Sequence, residues 1–206
     1  MKKTFLASAL VVASLGLAAC TNSKTSTENK TTSSVSSSKK QSSSETISSN
    51  KEYRTKFNKI KVGELSQNGA GGSTLKEVEA MLGQPNSTTS AKVATYKVKS
   101  ETWTKDGVTV VAQTIDNKVV SKDITGFKWS ANRPEKLTLK AFNSLKDGES
   151  YTTIINKFGE PDSLNESLML GKKNTVATWL TGVKGTSAVL TFDNDKLTSK
   201  TQTDLK

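Results

Sequence analysis

A chain that repeats itself must fold the same way twice, and this one repeats over most of its length. The block Phe57-Asn58-Lys59-Ile60-Lys61-Val62-Gly63 returns as Phe142-Asn143-Ser144-Leu145-Lys146-Asp147-Gly148, 85 residues on. Residues Leu75 to Pro85 return as Tyr151 to Pro161, 76 residues on. Thr102-Trp103 matches Thr178-Trp179 at the same offset, and Ile115-Asp116-Asn117 matches Phe192-Asp193-Asn194 at 77. Several blocks in one order argue against chance. The change of offset gives the first copy nine extra residues, in the Gly/Ser/Asn-rich stretch Gln67–Ser73, where a loop insertion is expected. The division falls near Ser130 to Pro134, giving copies at 53–130 and 131–206.

Each copy has the same local grammar. A short helix is expected around Phe57 to Ile60, and again around Phe142 to Leu145. A second helix runs Thr74 to Leu82, with Leu75, Val78 and Leu82 on one face; Tyr151, Ile154 and Phe158 repeat the spacing. Thr74 and Ser150 stand at N-cap positions, and Glu77 completes a capping box with Thr74. Gly83 and Gly159 stand where helices stop, with Pro85 and Pro161 two residues on. The period then becomes two: Val108, Val110 and Ala112 alternate with Thr109, Val111 and Gln113. Asp116-Asn117 and Asp193-Asn194 read as hairpin tips, and Gly107 and Gly185 as preceding turns. Two helices followed by an antiparallel meander make an α+β unit. A unit of about 75 residues is small to stand alone, so the two are expected to share or abut one antiparallel sheet.

The N-terminus reads as an export signal. Lys2 and Lys3 precede a mostly apolar stretch from Phe5 to Leu17, which is short for a membrane span of roughly 20 residues. It ends Leu17-Ala18-Ala19-Cys20, which resembles the bacterial lipobox. That resemblance implies cleavage before Cys20, the only cysteine, with residues 1–19 as signal peptide and Cys20 as the lipid-attachment residue. A lipidated N-terminal cysteine with two or more acyl chains anchors stably in a membrane. Residues 20–52 then read as a disordered tether: 18 of the 32 positions from 21 to 52 are Ser or Thr, and Val35 and Ile47 are the only aliphatic ones. Its typical span is roughly 30 Å. Such tethers look like those of Gram-positive surface lipoproteins.

Composition removes several chemistries. The chain has no histidine, so Ser-His-Asp and Cys-His nucleophile pairs and His/Cys zinc sites are excluded, as is an intramolecular disulfide. From Tyr53 onward, 23 Lys and Arg face 16 Asp and Glu, interspersed and with only two arginines, Arg54 and Arg133. That pattern fits a diffuse positive surface near anionic lipid or wall polymer better than nucleic-acid binding. Asp193-Asn194-Asp195 lacks the further oxygen ligands of a calcium loop and reads as a turn. Glu77 with Glu79, and Asp147 with Glu149, are paired carboxylates, but residues two apart on a helix do not face each other. No cofactor, metal or catalytic residue is expected.

The pattern Gly72, Thr74, Val78, Leu82, Gly83, Pro85 resembles that of small outer-membrane assembly lipoproteins and of the repeats in β-lactamase inhibitor proteins. Two copies behind a lipobox and a Ser/Thr tether are most similar to BLIP-like lipoproteins of unknown function in Gram-positive bacteria. The resemblance implies helix-loop-helix units on one face of an antiparallel sheet, and a binding protein rather than an enzyme. Inhibitors of that group use aromatics on a concave sheet face and an inserted loop; no loop here matches the inhibitory motif. The candidate partner-binding residues are therefore Tyr96, Trp103, Trp129 and Trp179. On a sheet face free of helices they would be interface anchors; beneath the helices the tryptophans would be core. The expected protein is a lipid-anchored module on the extracytoplasmic face of the cell membrane, binding an extracytoplasmic protein. The alternative is a structural envelope lipoprotein that holds wall polymer or anionic lipid by charge.

Overall fold

The computed structural model describes residues 51–93, 95–127, 133–181 and 185–206. The leader, Cys20 and the tether as far as residue 50 lie outside the described residues. The chain forms α1 (51–59), a 3-10 turn (Leu65–Gln67), α2 (Leu75–Leu82) and strands β1 (Ser87–Val93), β2 (Tyr96–Lys105), β3 (Val108–Ile115) and β4 (Lys118–Thr125). It continues with α3 (Leu139–Ser144), α4 (Tyr151–Phe158), β5 (Ser163–Met169), β6 (Lys172–Leu180), β7 (Ser187–Asp193) and β8 (Lys196–Thr203). All eight strands lie in one antiparallel sheet in chain order, so the fold is α+β. The sheet is continuous because Ser121–Ile124 of β4 pair with Leu164–Ser167 of β5.

The local signals explain where the elements begin and end. Thr74 Oγ1 accepts from the Glu77 amide at 3.2 Å, and the Glu77 carboxylate accepts from the Thr74 amide at 2.7 Å, closing a capping box on α2. Ser150 Oγ accepts from the Thr153 amide at 3.0 Å and caps α4. Gly83 and Gly159 terminate α2 and α4 at φ 87° and 74°, where a side chain would be strained. Two expectations need correction. Helix α1 already includes Lys51 and Glu52, which composition placed in the tether; Tyr53, Arg54 and Phe57 give it a buried face that anchors it. The last hairpin tip is Asn194-Asp195, one residue later than expected, because both tip residues take positive φ (48° and 62°) while Asp193 still pairs with Lys196.

The helices cover one face of the sheet. That face carries Trp103, Val110, Ala112, Ile124, Leu164, Ala177, Trp179, Leu190 and Phe192, all buried in one cluster with Phe57, Val78, Ile154 and Phe158 from the helices. Each such aliphatic or aromatic side chain contributes roughly 1.5–3 kcal/mol on leaving water. Strand β3 shows the division: its residues alternate buried and half-buried from Val108 to Gln113.

Polar bonds reinforce the joint between β4 and β5. Arg54, 2% exposed, donates to Pro161 O at 3.0 Å and pairs with Glu160 at 2.6 Å. Lys122 pairs with Glu166 at 2.8 Å, and its ammonium also reaches Ile60 O at 2.8 Å. The loop after α1 adds a third bond set. Glu64 accepts from the amides of Leu170 and Gly171, at 2.9 and 2.7 Å, at the β5–β6 tip.

Candidate functional site

The covered face holds the two tryptophans. Trp103 is 2% exposed and Trp179 0%; their indole N–H groups donate to Gly83 O at 2.8 Å and Gly159 O at 2.9 Å. Each ring therefore sits under the end of a helix, with its one polar atom bonded to the carbonyl of the stop glycine. This corrects their candidacy as partner-binding residues: they are core. Trp129 lies outside the described residues. Tyr96, seven residues before Trp103 on the same strand, points to the opposite face. There it is half-buried against a small cluster of Val98, Ile115 and Val120, with Leu65 from the loop after α1.

That opposite face has no helix on it among the described residues. Its character follows from strand register. One straight row of directly paired residues crosses it as Thr102, Val111, Asp123, Asn165, Val176 and Thr191, from β2 to β7. All six are half-buried by their neighbours. The face is thus built from hydroxyls, amides and valines, with Asp123 at its centre. Burial pushes the Asp123 carboxyl up to about 6. On β3, β4 and β5 the other open-face positions from Thr109 to Gln113, Ser121 to Thr125 and Ser163 to Ser167 carry no charge. The charged open-face residues Lys118, Lys172, Asp193 and Lys196 stand at hairpin ends and are exposed. The sequence held this signal, since an acid sits at an outward position of an alternating strand. Nothing in the pattern says which face the helices leave open.

The inserted loop borders this face. Its Glu64 accepts from the Ser66 hydroxyl at 2.7 Å and the Ser66 amide at 3.0 Å, besides the two tip amides. These bonds, the hydroxyl's first, hold the Glu64 carboxyl down at about 2. Opposite, on the helix side, a cleft of about 500 Å³ opens between α1 and α4 above β4 and β5. Of its charged groups, Lys122 pairs with Glu166, Lys173 with Glu166 and Asp195, and Glu160 with Arg54.

The acidic pairs have local duties. Glu77 closes the α2 capping box, and Glu149 accepts from the Lys146 amide at 2.8 Å. Among the described residues no group of three His, Cys, Asp or Glu could hold a metal ion, and no helix is long and apolar enough to cross a membrane. What the arrangement offers chemically is a broad, mostly neutral surface with one central carboxylate.

Comparison with known proteins agrees with this architecture. No curated protein matches the chain. Among solved structures, it is similar to the crystal structure of a candidate β-lactamase inhibitor protein from Streptococcus mutans. The two share 33% identity and a TM-score of 0.65, over 76% of this chain and 98% of that one. The family model described as a domain of unknown function with solved structure, DUF3862, matches residues 49–205, and the chain belongs to that family.

Proposed function

We propose that this protein is a non-catalytic, inhibitor-type protein-binding module, built from two tandem BLIP-like repeats and held at the extracytoplasmic face of the cell membrane through lipidated Cys20. The observation that carries the reading is the sheet: eight strands wide, roofed by helices on one side only, in a chain similar to a candidate inhibitor protein. Uncovered sheet faces of this extent are suited to flat protein partners. The repeat reading is supported by contacts that occur in pairs. Trp103–Gly83 matches Trp179–Gly159. Lys122 bonds Phe57 O and Ile60 O over the Phe57 ring, and Lys200 bonds Phe142 O and Leu145 O over the Phe142 ring. Asn86 and Asp162 accept from the amides of Thr104 and Leu180.

Crosslinking of the full chain in intact envelopes, followed by capture at low and high salt, tests the proposal. A discrete protein, retained at high salt and lost when Val176 on the open face becomes Arg, is the expected result. A β-lactamase is the first purified enzyme to assay for inhibition, given the similar solved structure. Retention only at low salt, with no discrete partner, would overturn the proposal and favour the charge-driven structural role, because exposed charge attraction is screened within ~10 Å at 0.1 M salt.

A further inference from the structure

We propose that Asp123 selects the partner of the open face by seating one of that protein's lysine or arginine side chains. The inference rests on the open face being the binding surface. Its own basis is that Asp123 is out of keeping with the rest of the molecule. Every other largely buried acid has partners. Glu64 has Ser66, Leu170 and Gly171. Glu101 has Thr114. Asp162 has Arg133 and Leu180, and Glu166 has Lys122 and Lys173. Asp123 has no ion pair or hydrogen bond among the described residues, although it is half-buried in the middle of the sheet.

A half-buried carboxylate without a counter-ion is unfavourable for the free protein, and functional sites are where proteins keep such groups. The surroundings specify its complement. Val111 lies beside Asp123 on β3, and Val176 lies one strand beyond Asn165. Such aliphatic surface suits the methylene stem of a long cationic side chain. The Asn165 amide and the hydroxyls of Ser121 and Thr125, on the same face, remain neutral, so none competes for the charge. A metal ion fits poorly, since calcium requires six or more oxygen ligands and a single carboxylate supplies two. A charge pair closed off from water at the centre of an interface discriminates strongly between partners, because the wrong side chain leaves the acid unpaired.

The test pans a randomised dodecapeptide phage library on the full-length protein at pH 7.5. Recovered peptides that lose binding with Val176→Arg bind the open face. They should share a lysine or arginine. Replacing that residue by norleucine or citrulline should weaken binding at least tenfold on the wild type and leave it unchanged on Asp123→Asn. Lowering the pH to 5 should also weaken wild-type binding about tenfold, since a carboxyl near 6 is then mostly protonated. Open-face peptides without a shared cation, or indifferent to Asp123→Asn, overturn the assignment of Asp123 while leaving the binding face intact. A library whose binders all survive Val176→Arg counts against the binding face itself.

Discussion

Replacing Asp123 by Asn should make the protein more stable, and by an amount that depends on pH. The folded carboxyl sits at about 6 against an ordinary value of 3.8. A group raised on folding binds more protons in the native state, so its contribution to stability falls as pH rises from about 4 to 6. Above that window the native state holds an ion it has partly desolvated. Two pKa units correspond to roughly 3 kcal/mol, and the solvent that still reaches the carboxylate reduces this to about 1–3 kcal/mol. By pH 3 the carboxyl is mostly protonated in both states and the difference should vanish. Urea midpoints of both proteins from pH 3 to 8 measure it, and the other acids cancel between them. A variant less stable than wild type at pH 7.5, or a difference that persists at pH 3, would refute the reasoning.

Trp103→Ala and Trp179→Ala should each lose about 3–5 kcal/mol of unfolding free energy, because both rings are buried core; retained midpoints would return them to the interface. Lys122→Met should destabilise by about 3 kcal/mol, since it strips a buried partner from Glu166 and the carbonyls after α1. Lys200→Met, with no acidic partner, should lose less in the same urea series. Glu64→Gln should speed hydrogen exchange at the Leu170 and Gly171 amides, and wild-type exchange there should rise likewise as pH falls toward 2, once the opposite trend of acid-catalysed chemistry is corrected. Equal protection in both proteins at neutral pH would show that the carboxylate does not hold the tip.

The sequence was most legible where a single residue type has a single physical use. Thr74 with Glu77 and Gly83 before Pro85 bounded α2 correctly, because caps and stops act locally. The last hairpin tip slipped by one residue because the turn before β7 is longer than its counterpart: Trp103 pairs with Val110 but Trp179 with Ala188, and matching Asp-Asn to Asp-Asn hides the added length. Period-two alternation puts Trp103 and Tyr96, seven residues apart on one strand, on opposite faces, although both stood together as candidate anchors. It could not say which face the helices would take, and so left the tryptophans open between anchor and core. Asp123 escaped for the same reason. An outward acid on a strand is ordinary until the register across β3, β4 and β5 shows that none of the described residues paired around it on that face is a cation.

The joint between β4 and β5 also governs how quickly such a sheet can assemble. Six of its seven strand pairings are hairpins between neighbours in the chain, which zip in microseconds. Only the β4–β5 ladder, four residues long, must close a loop through residues 126–162. Compared with a two-residue tip, that closure costs about 2–3 kcal/mol more in chain entropy. The search problem of an eight-stranded protein thereby reduces to two locally wound halves and one docking event, with Arg54, Lys122 and Glu64 as the residues whose polar bonds join the halves once they meet.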